Sequence, residues 1–124
     1  MNIVDSCGWI EYLSDGNNAP FFEEALLDTD NLLVPSISIY EVFKKVFSEK
    51  NEDSAILAVS LMQQGTVVDL DSTISISAAR ISYDLKIPMA DSVILATAHL
   101  YNATIWTQDE HFEGIRGVKF VRKD

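Results

Sequence analysis

Apolar and polar positions along the chain follow two different periods. Short apolar runs, each followed by a polar or turn-forming residue, predict strands at 2–4, 32–34, 66–70, 103–107 and 118–121. Longer segments, in which apolar residues recur every three or four positions, predict helices at 8–13, 20–27, 38–47, 52–64, 72–85 and 88–101. Strands and helices therefore alternate through the whole chain.

This alternation is typical of a three-layer α/β/α sandwich with a mainly parallel sheet. The length of 124 residues suits one domain, and the sequence contains no repeat, low-complexity segment or linker. We therefore predict a single domain over residues 1–124. In sheets of this kind ligands bind beyond the carboxyl ends of the strands, so we expect the functional site at that edge.

The apolar positions of two predicted helices follow helical spacing. They are Ile56, Leu57, Val59 and Leu61 in the helix over 52–64, and Ile76, Ala79, Ile81 and Leu85 in the helix over 72–85. We expect the side chains named in the first of these helices to point inward.

Polar side chains at two helix starts indicate how those helices begin. Ser6 follows the first predicted strand and is a candidate N-cap for the helix after it. Ser38 is predicted to open the third helix, with Glu41 three residues later at the spacing of a capping box. Glu41 also lies four residues before Lys45, the spacing of a favourable ion pair on a helix.

The charge balance limits the kinds of partner that the surface can bind. Nineteen Asp and Glu against nine Lys and Arg give a formal net charge of −10. This balance disfavours broad non-specific nucleic-acid binding, which depends on basic surface. It remains compatible with a nucleic-acid enzyme whose carboxylates are bridged by divalent cations, and it suits a basic protein partner.

The remaining composition points to the cytoplasm. No apolar run is long enough to cross a membrane, and the first residues lack the pattern of a secretory signal. Cys7 is the single cysteine, so an internal disulfide cannot form. We expect a cytoplasmic protein without a membrane-bound segment.

Four acidic residues fall at the carboxyl edge of the predicted sheet. Asp5 follows the first strand, and Glu41 lies early in the helix after the second strand. Asp91 is near the start of the helix that leads into the fourth strand, and Asp109 follows that strand. Because clustered like charges are costly without a positive charge between them, this grouping suggests a bound cation.

The donor set favours a hard cation. Neither His99 nor His111 has a partner at the spacing of zinc ligands. Carboxylate oxygens are the ligands preferred by Mg²⁺ or Mn²⁺, so we expect one of these ions.

Each of the four acids also has an ordinary structural explanation. The helix dipole favours Asp91 and Glu41 in a first turn, whatever their function. Asp5 is also explained by an end-of-strand turn or a helix cap, and Asp109 by the cap of a short turn at 110–112. Position along the sequence alone leaves both explanations open.

Four motifs occur in an order found in a known family. They are NIVDS at 2–6, SIYEV at 38–42, IPMADSVILATA at 87–98, and TQD at 107–109 with Phe112 behind it. In this order and at this chain length, the sequence resembles the PIN-domain nucleases, most closely the VapC-type toxins of toxin–antitoxin pairs. The third motif is the most specific of the four.

The resemblance implies a PIN-like sheet of strand order 3-2-1-4-5 and a Mg²⁺- or Mn²⁺-dependent endoribonuclease, the toxin of a type II toxin–antitoxin system. Asp5, Glu41, Asp91 and Asp109 would be its catalytic, metal-binding residues. Ser6 and Thr107 would support them, Thr107 by a hydrogen bond to an acid or a metal-bound water. The implied partners are an RNA substrate, a cognate antitoxin protein and a second copy of the chain.

Two other functions compete with this one. A non-catalytic PIN-like interaction module would keep the acids for folding alone. A phosphatase-like domain would use Asp5 as a nucleophile, but the second Asp usual in that class is replaced by Cys7 two positions later. Metal-dependent cleavage would separate the nuclease from both alternatives.

Overall fold

The computed structural model describes residues 1–123, and Asp124, the last residue of the predicted domain, lies outside them. Within residues 1–123 the strands are β1 (Asn2–Val4), β2 (Leu32–Pro35), β3 (Thr66–Val68), β4 (Thr104–Thr107) and β5 (Val118–Phe120). All neighbouring strands are parallel, in the order β3-β2-β1-β4-β5. The predicted fold class and strand order are confirmed.

Helices cover both faces of this sheet. They are α1 (Ser6–Leu13), α2 (Ala19–Leu27), α3 (Ser36–Glu49), α4 (Glu52–Met62), α5 (Ser72–Leu85) and α6 (Met89–Tyr101), with short 3₁₀ helices at Thr29–Asn31 and Glu110–Phe112. Among the residues described, no helix combines the length and apolarity that crossing a membrane requires.

Alternation along the strands divides the apolar core between the two faces. Val4 and Trp106 point to the face covered by α1 to α4, where they pack with Phe22. Ile3 and Ile105, one residue earlier on each strand, point to the face covered by α6, together with Ile94. The resulting arrangement is the predicted three-layer sandwich.

Gly8 lets α1 pack closely against the sheet and α2. A Cβ atom at this position would lie 2.6 Å from the ring of Phe22 and 2.7 Å from a methyl group of Val4. Because no real Cβ atom is found so close to other heavy atoms, any larger residue would push α1 away from its neighbours. This close packing determines where the first residues of α1 lie.

The inward face predicted for α4 is wrong. Leu57 is 63% exposed and Ile56 is 50% exposed, while Ala55, Ala58 and Met62 are buried. The helix is apolar on nearly all sides, so spacing alone does not identify the buried face. Small alanine side chains allow a closer approach to the neighbouring layer, which leaves the larger ones at the surface.

The apolar positions that mark α5 in the sequence are not its buried face. Ile76 and Leu85 are exposed, whereas Ile74 and Ala78 are buried and pack with residues of α6. Of the apolar positions that mark the helix, Ile81 is partly buried against this cluster. The face is selected by contact with α6, a constraint that the pattern within α5 does not contain.

The register of β1 and β4 brings distant segments together at the carboxyl edge. Val4 lies beside Trp106, so Asp5 and Thr107 follow on neighbouring strands. The amino terminus of α6 reaches the same edge, because α6 runs back across the sheet before β4 begins. The segments that carry the four predicted acids therefore meet here.

Candidate functional site

Asp5 forms the junction between β1 and α1. Its backbone N–H donates to the Trp106 carbonyl at 3.0 Å, and its Oδ1 accepts from the Ser6 backbone N–H at 2.8 Å. Asp5 is thus the N-cap of α1, and the prediction of Ser6 as the cap is wrong because the helix begins at Ser6 itself. The Asp5 side chain is held in place by the start of a helix.

Two further donors hold the other oxygen of Asp5. Thr107 Oγ1 donates to Asp5 Oδ2 at 2.9 Å, and the Cys7 thiol donates to the same atom at 3.4 Å. Burial raises the pKa of the Cys7 thiol to about 12, and the nearby Asp5 charge acts in the same direction. Cys7 is therefore a neutral donor, and Asp5, which is 2% exposed, has both oxygens occupied by donors.

Thr107 connects two of the acidic residues. Its hydroxyl donates to Asp5 and accepts from the Asp109 backbone N–H at 2.9 Å. The side chain is fully buried. One hydroxyl thus fixes both the Asp5 carboxylate and the backbone that carries Asp109.

Glu41 faces the site from α3. Its Oε1 accepts a hydrogen bond from Ser6 Oγ at 2.8 Å, which links Glu41 to the residue after Asp5. The predicted capping box is wrong, because α3 begins at Ser36 and places Ser38 inside the helix. The predicted pair with Lys45 is also wrong, since the Lys45 ammonium lies 2.8 Å from Glu49 instead.

Asp91 and Asp109 meet at a third side chain, His111. The Nδ1 atom of His111 lies 2.8 Å from Asp91 Oδ2 and 3.2 Å from Asp109 Oδ1. Asp109 caps the 3₁₀ helix by accepting a hydrogen bond from the His111 backbone N–H at 2.9 Å. This is the structural explanation, a cap of the turn at 110–112, that the sequence predicted for Asp109. Sequence spacing gave no signal for His111 in the site, because it meets Asp91 only through the fold.

Burial and mutual repulsion raise the pKa values of the buried acids. Burial is the main cause that raises the pKa of Asp91 to about 6, and the charges of Asp109 and Asp5 act in the same direction. His111 lowers this pKa by a smaller amount. Burial is also the main cause of the raised pKa values of Asp5 and Glu41. The Asp109 carboxylate, followed by that of Asp91, raises the pKa of His111. All four acids are thus electrostatically coupled.

The donor atoms fit a divalent cation. One oxygen of Asp91, Oδ2, is buried and, apart from its contact with His111, has no hydrogen-bond partner within residues 1–123. Ligand atoms of Asp91, Asp109 and His111 lie within 4.8 Å of one another. Clustered carboxylates repel one another unless a cation lies between them, and carboxylate oxygens suit Mg²⁺ or Mn²⁺.

A cleft opens beside Glu41, Ser6 and Cys7, on the α1 side of the acidic cluster. It has a volume of about 380 Å³ and is lined by residues that include Glu41, Gln108, Lys45 and Lys123. Two lysines and two acids, Glu11 and Glu41, thus line the side of the site on which Cys7 lies.

Solved structures share this fold over nearly the whole chain. A toxin–antitoxin complex from Klebsiella pneumoniae is 22% identical with a TM-score of 0.80, covering 96% of each chain. VapC20 from Mycobacterium tuberculosis, described as a sarcin–ricin loop cleaving toxin, is 11% identical with a TM-score of 0.81, covering 99% of this chain and all of the other. VapBC2 from Rickettsia felis, bound to a DNA fragment from its promoter, is 15% identical with a TM-score of 0.75 over 99% of this chain and 98% of that chain.

Comparison with curated protein sequences gives no significant match. At the identities above, the likeness to solved structures is one of fold. The family model of the PIN domain, in contrast, matches residues 3–118 and spans β1 through the first residue of β5. The chain therefore belongs to the PIN domain family.

Proposed function

We propose that the protein is a Mg²⁺- or Mn²⁺-dependent endoribonuclease, the toxin of a type II toxin–antitoxin pair in the cytoplasm, formed by a single domain over residues 1–124. The observation that carries this proposal is the meeting of Asp5, Glu41, Asp91 and Asp109 at one edge of the sheet. Like charges gathered in this way repel one another unless a cation lies between them.

The four acids would hold the ion, directly or through water. When bound, the ion supplies an activated water for attack on the phosphodiester and charge stabilisation for the leaving oxygen. Thr107 keeps Asp5 Oδ2 and the Asp109 backbone in place, and Ser6 keeps Glu41 in place. These hydrogen bonds fix the carboxylates before the substrate arrives.

The cleft beside the acids supports a nucleic-acid substrate. Lys45 and Lys123 line it beside Glu11 and Glu41, so a polyanion would be held by the two lysines and by the bound ion. The description of the structurally similar Mycobacterium tuberculosis protein as a sarcin–ricin loop cleaving toxin supports RNA as the substrate class. We propose that the phosphate backbone of an RNA enters along this cleft.

Exposed apolar surface on α3 and α4 supports the proposed protein partners. A groove of about 590 Å³ between α3 and α4 is lined by residues that include Phe43, Phe47 and Ile56. A second groove of about 210 Å³, reaching α1, is lined by residues that include Leu57 and Leu61. We propose that an antitoxin and a second copy of the chain cover this surface, as the solved toxin–antitoxin complexes of similar fold suggest.

The geometry disfavours the phosphatase alternative. A nucleophilic carboxylate must be approached in line by a whole phosphoryl group, whereas a metal ion needs only one remaining lone pair of a carboxylate oxygen. Both oxygens of Asp5 accept hydrogen bonds, and the residue is 2% exposed. The remaining alternative is a non-catalytic interaction module, which would show no metal-dependent cleavage of RNA.

Cleavage assays with Asp91→Asn test the proposal. We expect the parent to cut ribosomal or transfer RNA with Mg²⁺ or Mn²⁺ and not with a chelator. Asp91→Asn should cut at least about 100-fold more slowly, since even the residues that support a metal ligand contribute 10–100-fold. Asp84→Asn, the same change at an exposed position of α5, is the matched control. A parent without metal-dependent cleavage of any RNA would favour the non-catalytic module.

A further inference from the structure

His111 lies where the two carboxylates of Asp91 and Asp109 converge. Its Nδ1 atom is 2.8 Å from Asp91 Oδ2 and 3.2 Å from Asp109 Oδ1. The first of these oxygens is buried, and the His111 nitrogen is its one close polar contact within residues 1–123. The imidazole therefore lies beside both carboxylates that a cation would bind.

These separations match those between neighbouring ligands of one ion. Ligands about 2.1 Å from a six-coordinate ion are roughly 3.0 Å apart when they occupy adjacent positions. Both contacts of Nδ1 lie close to this value. An ion could thus bind a nitrogen of His111 and both carboxylates with only small movements of the side chains.

The backbone around His111 holds its side chain at the site. The His111 N–H donates to Asp109 Oδ1, and the Phe112 N–H donates to the Asp109 carbonyl at 3.0 Å. The Phe112 side chain is fully buried and anchors the turn in the core. The imidazole itself is 54% exposed, so it can adjust its orientation while its backbone stays fixed.

We propose that His111 is a direct ligand of the ion and that its nitrogen biases the site toward Mn²⁺ or another transition-metal ion over Mg²⁺. This inference rests on the proposed function, because it concerns the same metal site. Mg²⁺ binds almost entirely through oxygen, whereas first-row transition-metal ions accept imidazole readily. One nitrogen among carboxylate oxygens would therefore change which ion is retained.

Pulsed electron paramagnetic resonance of bound Mn²⁺ tests this inference without an activity assay. In the metal-free protein titrated with Mn²⁺, we expect hyperfine coupling from a directly bound ¹⁴N. The chain has two histidines, so His99→Ala, at an exposed position of α6, is the matched control and should keep the coupling. His111→Ala should lose it, and its Kd for Mn²⁺ should rise about 10-fold or more while its Kd for Mg²⁺ changes far less.

A conservative variant separates ligation from support of the turn. His111→Asn offers an amide oxygen in place of the nitrogen, so it should bind Mg²⁺ like the parent and show no nitrogen coupling. Mn²⁺ bound to the parent without nitrogen coupling would overturn the inference and leave the metal site standing, with His111 only a counter-charge for the acids. A parent that binds no Mn²⁺ at millimolar concentration would overturn the inference and the proposed function together.

Discussion

The Thr107 hydroxyl is the contact that joins Asp5 to Asp109, so its removal should affect both. In Thr107→Val the shape is kept, but the Asp109 N–H loses its acceptor and Asp5 loses one donor. We expect a 10–100-fold loss of metal affinity or RNA cleavage, and a stability loss of about 1–3 kcal/mol for the buried group left unpaired.

Metal titration and thermal unfolding of this variant measure the two effects separately. Thr104→Val, at the opposite end of β4, is the control, since Thr104 makes no contact with the acids. If Thr107→Val cleaves RNA like the parent at limiting metal concentration, the hydroxyl has no part in holding the site.

At the scale of single residues, the sequence identified the acids through their position relative to strands and helices. The alternation of strands and helices predicts that Asp5 and Asp109 lie at the same edge of the sheet, and the family resemblance predicts that their strands are neighbours. His111 was missed, because it reaches Asp91 across a gap of twenty positions through a turn whose shape no local pattern encodes. The two N-cap predictions at Ser6 and Ser38 failed because each helix begins earlier than its polar residues suggest.

At the scale of secondary structure elements, α4 exposes large apolar side chains that no contact within residues 1–123 covers. Its residues Leu57 and Leu61 are 63% and 39% exposed, although both were predicted to face inward. Which face of such a helix is buried depends on how closely it can approach its neighbour, and this is a property of the packed structure. Apolar surface left over by the fold is typical of a partner interface.

Leu57→Glu should weaken partner binding without harming the fold. The position is largely exposed, so the free energy of unfolding should change by no more than about 0.5 kcal/mol. A charge placed in the apolar groove should reduce the affinity for an antitoxin or a second copy about 10-fold or more. Light scattering of the protein alone, and co-purification with the product of the adjacent reading frame, measure the two interactions.

Leu100→Glu on α6 provides the comparison, since Leu100 is 53% exposed on the other side of the sheet. If Leu57→Glu and Leu100→Glu leave dimerisation and co-purification equally intact, the surface of α4 is not covered by either partner.

At the scale of the whole molecule, the raised pKa values make the stability of the metal-free protein depend on pH. Asp5, Glu41, Asp91 and His111 all bind their protons more tightly in the folded state. The contribution of Asp91 is fully present below its unfolded pKa of 3.8 and is lost as pH rises through about 6. His111 acts in the same direction at higher pH, since its pKa is raised above 6.5.

We therefore expect the Tm of the metal-free protein to be higher at pH 6 than at pH 8. Saturating Mg²⁺ or Mn²⁺ should raise the Tm most at pH 8, because an ion that binds only the folded, deprotonated site stabilises it by mass action. Thermal melts across this range, with chelator and with ion, measure both effects. A Tm that falls on going from pH 8 to pH 6 with chelator would contradict the predicted coupling of the acids.

The overall architecture was more predictable than the details of packing. Alternating strands and helices predict a parallel sheet, since parallel strands need a crossover between them. The strand order came from the family resemblance of the motifs and is confirmed. The faces of α4 and α5 could not be predicted, because small residues such as Ala58 and Ala78 are buried through contacts between helices.

The direct junction between β1 and α1 decides where an inactive variant of the proposed toxin is best made. Asp5 ends a strand, caps a helix and belongs to the acidic cluster, so its replacement disturbs folding and chemistry together. Asp91 lies in the first turn of α6 but is not its N-cap, which is Pro88, so the helix keeps its cap when Asp91 is replaced. An inactive variant should therefore carry its substitution at Asp91. Such a variant serves for expression without harm to the host and for capture of partners on an unchanged surface.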